Sequence, residues 1–129
     1  MIKKISKITI YVNNQEEAKE FWTEKINFVI KEERSMSHGM KWIEVGPNEC
    51  EFTTFILYEK NVMLAQNPSA NVSHPNIVLS TNNIQESYKD IKEKGVEVSE
   101  LMIRPYGKMF TFKDQDGNEY LLREDEFNL

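Results

Sequence analysis

The sequence predicts an α+β fold: two βαβββ repeats that build a curved mixed sheet with their helices on its outer face. Three observations carry this. Ile8-Thr-Ile-Tyr-Val-Asn13-Asn14-Gln-Glu-Glu17 returns as Ile77-Val-Leu-Ser-Thr-Asn82-Asn83-Ile-Gln-Glu86, 69 positions later. Seven residues past each of those glutamates stand Glu24-Lys25 and Glu93-Lys94, so the register holds through the following helix. Each copy also passes from a residue alternation of period 2 to one near 3.6, the change expected where a strand gives way to a helix.

In the first copy Ile8, Ile10 and Val12 alternate with Lys7, Thr9 and Tyr11, the pattern of a half-buried strand. Asn14 followed three positions later by Glu17 fits a capping box. The helix then sets Ala18, Phe21, Trp22 and Ile26 on one face, and Asn27 suits the left-handed C-terminal position. Three strands are expected next: Phe28–Glu32, Met40–Val45 and, after a turn at Gly46-Pro47-Asn48, Phe52–Tyr58. The second copy repeats the signals with strand Ile77–Thr81, Asn83 and Glu86 as the cap, and Ile84, Tyr88 and Ile91 on the apolar face until Gly95. Its strands are expected at Val96–Leu101, Lys108–Phe112 and, past the turn Asp116-Gly117, Asn118–Arg123. The chain is thus expected to be one domain over 1–129, with repeat one at about 1–60, a connector at about 60–75 and repeat two at about 76–129. The connector is read from Asn67-Pro68-Ser69 and Ser73-His74-Pro75. Function is expected on the curved sheet face that the helices leave free.

Composition narrows the class. With 40% apolar and 29% charged residues the chain is an ordinary globular one, and a net charge of −5 with scattered basic residues argues against a nucleic-acid surface. No segment approaches the ~18 consecutive apolar residues of a membrane span, and the N-terminal Met1-Ile-Lys-Lys-Ile-Ser-Lys has no apolar leader core. A cytoplasmic location is expected. The single cysteine, Cys50, lies between Glu49 and Glu51, where negative charge disfavours a thiolate nucleophile.

Several phrases resemble the vicinal oxygen chelate superfamily, which includes glyoxalase I, the bleomycin-resistance proteins and extradiol dioxygenases. They are Tyr11-Val12-Asn13-Asn14 leading to Ala18-Lys-Glu-Phe21-Trp22, Pro105-Tyr-Gly-Lys-Met-Phe110, and Phe112-Lys-Asp114-Gln-Asp116-Gly117-Asn118-Glu119-Tyr120. The last is close to the family's Asp-Pro-Asp-Gly-Asn-Glu signature, with Gln115 where proline is usual. As a physical object it is a hairpin turn, and it identifies a fold rather than a chemistry.

The resemblance implies four metal-ligand slots, on the first and last strand of each repeat. Carried over by position they fall at Lys7, Ile56, Asn76 and Leu121. A lysine brings a positive charge, isoleucine and leucine carry no donor atom, and asparagine alone offers a neutral oxygen, so the family metal site is expected to be absent. A slip of one residue does not rescue the last slot, because Tyr120 and Leu122 point to the other face. His74, next to Pro75, reads as a displaced ligand or as a plain loop histidine; His38 is expected in a mobile loop, where Met36, Gly39 and Met40 make an adaptable apolar rim.

Candidate ligand-binding residues are the polar or aromatic ones that share a face with the slots: Lys7, Thr9, Trp42, Glu44, Thr54, Asn76 and Tyr106. Trp42 and Tyr106 either stack a flat ligand or fill a core or dimer seam. Glu44, between Ile43 and Val45, is either a solvent-side residue or a pocket carboxylate. The expected function is a metal-free small-molecule-binding protein of the bleomycin-resistance kind, a homodimer whose ligand is aromatic or cationic. The alternative is an enzyme: a metal-dependent lyase, isomerase or dioxygenase of the same superfamily with non-standard ligands, or a metal-independent isomerase with Glu44 or Lys7 serving as acid-base groups. A third reading is an interaction module whose curved face is filled by its own side chains.

Overall fold

Both repeats adopt the expected order of one strand, one helix and three further strands. The computed structural model describes residues 1–124 and divides into two units, the first Met1–His74 and the second beginning at Pro75.

In the first unit, β1 (Lys7–Val12) turns Ile10 and Val12 into a closed core. Helix α1 (Gln15–Glu20) starts where Asn14 Oδ1 accepts the Glu17 amide at 2.9 Å. It runs on as a π turn over Phe21–Lys25, closed by the Ile26 amide on the Phe21 carbonyl. Asn27 takes φ 64°, the left-handed conformation its position suggested. β2 (Val29–Ser35), β3 (Lys41–Gly46) and β4 (Thr54–Glu59) complete a sheet of order β1-β4-β3-β2, parallel only between β1 and β4. The helix covers one face: fully buried Trp22 packs against Phe28 at 4.9 Å and Phe55 at 5.2 Å between ring centres, above Ile43, Val45 and Leu57.

In the second unit, β5 (Val78–Ser80), α3 (Ile84–Glu93), β6 (Met102–Arg104), β7 (Gly107–Lys113) and β8 (Glu119–Glu124) repeat the plan, with sheet order β5-β8-β7-β6. Asn83 Oδ1 accepts the Glu86 amide at 3.1 Å. The Glu86 carboxylate accepts from the Asn83 side-chain amide at 3.2 Å, and the Asn83 backbone amide goes to Thr81 Oγ1, so the box closes through side chains. Ile84 and Ile91 are buried, Tyr88 meets Phe110 edge-on at 4.9 Å, and Phe112 stacks on Tyr120 at 5.3 Å. Gly107 explains the phrase before β7. Its φ is 148°, and a Cβ there would lie 3.0 Å from Arg123 Nη2 and 3.2 Å from the Glu124 carbonyl.

Three expectations need correction. The strand expected at Val96–Leu101 is reduced to a bridge between Val98 and Phe112, and the regular ladder begins only at β6. Ser99 is the cause: its Oγ accepts the Thr111 amide at 2.9 Å, a bond a backbone carbonyl would otherwise take. The connector holds a helix, α2 (Lys60–Gln66), whose Val62, Met63 and Leu64 are half-buried. Its run of good helix formers up to Asn67-Pro68 was the overlooked signal. The strand expected to end at Glu32 continues to Ser35, because β2 pairs with β3 along its whole length, with one irregularity between Ile30 and Glu32.

Candidate functional site

The face of the first sheet opposite the helix carries the polar half of each alternating strand. β3 sends Ile43 and Val45 into the core and Trp42 and Glu44 to this face; β1 contributes Lys7 and Thr9, and β4 contributes Thr54 and Ile56. The register places Lys7 beside Thr54, Thr9 beside Ile56, and Ile56 beside Glu44. Four of the seven candidates therefore meet. The Glu44 carboxylate accepts Lys7 Nζ at 2.7 Å and Thr54 Oγ1 at 2.8 Å on Oε1, and Trp42 Nε1 at 2.7 Å on Oε2. Lys7 makes this contact by reaching over Thr54, across two strand spacings of about 4.8 Å each.

Glu44 is 5% exposed, which corrects the solvent-side reading. Burial pushes its carboxyl up, but the hydrogen bonds from Lys7, Trp42 and Thr54 and the lysine charge outweigh that, holding it below the usual glutamate range. A carboxylate so engaged is a weak proton acceptor at neutral pH, and its charge is matched by an ammonium. The indole of Trp42 is fixed by its N–H, and the Arg34 guanidinium lies 5.8 Å from its ring centre, an arrangement in which the ring face attracts a cation.

The other candidates stand apart from this cluster. Thr9 is half-buried two residues along β1. Asn76 and Tyr106 belong to the second unit: Asn76 is exposed just before β5, and Tyr106 is 64% exposed between β6 and β7, its carbonyl accepting Arg123 Nη2 at 3.0 Å. Leu121 pairs with Val78 as Ile56 pairs with Thr9, so these two family slots are equivalent in the sheets. Tyr120 and Leu122 are buried on the opposite face. His74 lies half-buried ahead of β5. No three His, Cys, Asp or Glu side chains converge among the described residues.

Two features escaped sequence reasoning. Gln15 Nε2 donates to the carbonyls of Lys41 at 3.0 Å and Leu57 at 2.8 Å, tying the start of α1 to β3 and β4. Above it opens a cleft of about 170 Å³ lined by Gln15, the turn His38–Lys41, Tyr58, Glu59 and Val62. No local signal announces a contact between residues this far apart. The second feature is the burial of the Asp114 carboxylate, 7% exposed within the closing turn that the sequence did announce. Its Oδ1 accepts the amides of Asp116 at 2.9 Å and Asn118 at 3.0 Å, and its Oδ2 accepts Tyr120 Oη at 2.8 Å. The recurrent signature is thus a buried carboxylate organising a hairpin, and the spacing of Asp114, Asp116 and Asn118 was its signal.

Known proteins fit this architecture. Residues 4–121 match the family model described as Glyoxalase/Bleomycin resistance protein/Dioxygenase superfamily. The uncharacterized protein YetH of Bacillus subtilis (strain 168) is 36% identical over 125 residues, spanning 96% of this chain and all of YetH. The crystal structure of TnmS3, an antibiotic binding protein from Streptomyces sp. CB03234, superposes with a TM-score of 0.81 at 25% identity, covering 97% of this chain and 98% of that one. A superfamily member from Sphaerobacter thermophilus DSM 20745 gives 0.80 at 25% identity over 96% and 98%. With its paired βαβββ units and its buried turn carboxylate, the chain belongs to the glyoxalase/bleomycin resistance protein/dioxygenase superfamily.

Proposed function

We propose that this protein binds a small aromatic or cationic molecule without a metal ion, using Lys7, Thr9, Trp42, Glu44 and Thr54 on the first sheet, and that Asn76 and Tyr106 of the second unit are further ligand contacts. The observation that carries the reading is the Glu44 carboxylate, occupied by Lys7, Trp42 and Thr54. Lys7, at the first family slot, puts an ammonium against Glu44 that would repel a divalent ion, and Ile56, beside Thr9 and Glu44, offers no donor. What remains is a neutralised, hydrogen-bonded floor with an anchored indole, suited to holding a flat ligand rather than moving a proton. The net charge of −5 supports a cationic ligand, and the similarity to an antibiotic-binding protein supports a small-molecule one.

The reading includes one functional domain over 1–129, a homodimer and a cytoplasmic location, the last supported by the exposed free thiol of Cys50. The test is a titration with cationic aromatic antibiotics followed by tryptophan fluorescence and melting temperature, alongside metal analysis. A ligand at 100 times its Kd stabilises the folded state by about 2.7 kcal/mol. The expected outcome is saturable quenching lost in Trp42→Ala, indifferent to chelator, and a dimer by light scattering. One equivalent of tightly held metal, with turnover that depends on it, would restore the enzyme reading.

A further inference from the structure

The cleft above Gln15 lies further along the first sheet from the Glu44 cluster. Glu44 has Ile56 as its neighbour on β4, and Tyr58 stands two residues beyond Ile56, about 7 Å at strand spacing. Its floor is fixed, because Gln15 Nε2 is held by two backbone carbonyls and Tyr58 Oη donates to Gln66 Oε1 at 2.9 Å. Its rim is the tight turn Ser37–Gly39, closed by the Met36 amide on the Met40 carbonyl at 2.7 Å.

The polar groups around the cleft are unbalanced. Lys41 is the lining ammonium, and Glu16 already holds it at 2.8 Å. The two carbonyls at the Gln15 amide nitrogen fix that side chain's orientation and leave its Oε1 without a partner among the described residues. The Glu59 carboxylate and the His38 imidazole likewise have none among the described residues. Glu59 is thus a lining carboxylate without an ion partner among the described residues, beside an apolar wall of Tyr58, Met40 and Val62. At about 170 Å³ the space suits a molecule of one ring, since a dry cavity of about 150 Å³ holds benzene.

We infer that this cleft is a second binding site, beside the Glu44 cluster rather than part of it, for a small primary amine with an apolar body, its ammonium received by Glu59 and its body lying against Tyr58, Met40 and Val62. The unpartnered Glu59 carboxylate selects a cation, since Glu16 already neutralises Lys41, and a carboxylate ligand would meet Glu59 as a like charge.

The test is an amide-resolved NMR titration of the whole protein with benzylamine, benzyl alcohol and benzoate, on wild type, Glu59→Gln and Val62→Phe. Benzylamine is expected to give saturable shifts confined to Gln15, residues 38–41 and residues 58–62. Its Kd is expected to rise at least tenfold in Glu59→Gln and also in Val62→Phe, where the ring fills the cleft. Benzyl alcohol is expected to bind at least tenfold more weakly, and benzoate to produce no saturable change. The spectra themselves report whether each variant is folded, and a second conservative change, Glu59→Asp, should retain part of the affinity. Shifts that grow linearly to high concentration, a Kd unchanged in Glu59→Gln, or equal binding of amine and alcohol would each overturn the assignment. Failure of the antibiotic titration leaves this result untouched, because the two sites share no proposed contact.

Discussion

Glu44 in the first unit and Asp114 in the second are buried carboxylates whose partners come from opposite distances along the chain. Glu44 draws Lys7 from 37 residues away, Thr54 from 10 and Trp42 from 2, so its cluster exists only once three strands have assembled. Asp114 is satisfied by Asp116, Asn118 and Tyr120, all within 6 residues. The register makes the asymmetry plain. Glu44 faces Ile56 as Thr111 faces Leu121, so the second unit places Thr111 where the first places Glu44. Asn76, in turn, stands where Lys7 does. The pair of Glu44 and Lys7 in the first unit has no charged counterpart at Thr111 and Asn76, which separates the part of the family plan that makes a fold from the part available for a ligand.

The helices differ as well. From N-cap to left-handed residue the first unit runs Asn14 to Asn27 and the second Asn83 to Gly95, so the first holds one residue more (13 against 12 positions). The π turn at Phe21–Lys25 absorbs it. Trp22, 69 positions before Ile91, is fully buried at the corresponding place.

Removing each carboxylate probes the first contrast most strongly. Asp114→Ala strips a buried acceptor from two amides and a phenol and is expected to cost about 3 to 4 kcal/mol, read from urea unfolding. Glu44→Ala is expected to cost less, about 2 kcal/mol, because Lys7 is partly exposed and regains water. A larger loss at Glu44 would mean that the long-range cluster, rather than the local turn, anchors its unit.

Glu44 and Tyr120, the phenol bound to Asp114, predict opposite pH limits. Glu44 has a folded pKa depressed below its ordinary value near 4.5, so its contribution is present above that value and is lost as pH falls through the lower folded one. Tyr120 moves the other way: burial first, then the Asp114 charge, push its hydroxyl well above the ordinary 10.0. A raised pKa gives stability that is complete below pH 10.0 and declines as pH rises beyond it. Melting temperature against pH should therefore lose part of its acid limb in Glu44→Gln and part of its alkaline limb in Tyr120→Phe. Unchanged limbs in both variants would remove these groups from the account.

At the helix ends, Gly95→Ala is expected to cost about 1 to 2 kcal/mol, with nothing within 4 Å of the new Cβ and the cost therefore in the backbone alone. Asn27→Gly should do the reverse, with a gain of a few tenths of a kcal/mol. The smallest contrast lies in the caps. Asn14→Ala and Asn83→Ala should each lose about 1 kcal/mol, the second slightly more because Asn83 also holds Glu86 through its side-chain amide. Equal losses would show that the extra bond at Asn83 adds nothing.

The sequence by itself determined whatever depends on near neighbours. Strand alternation in β1, both asparagine caps, the left-handed Asn27 and Gly95, and the turn at Asp114 were all legible, because backbone sterics and hydrogen bonds within six residues fix them. It also brought Lys7, Trp42, Glu44 and Thr54 onto one face, since parity along a strand is a local property. Tertiary structure decided the rest. That Lys7 reaches Glu44 across Thr54, that Gln15 ties α1 to two strands and floors a cleft, and that Ser99 interrupts a ladder by taking the Thr111 amide are matters of register between distant segments. Register is set by the summed packing of whole sheet faces, and no single stretch of chain contains that sum.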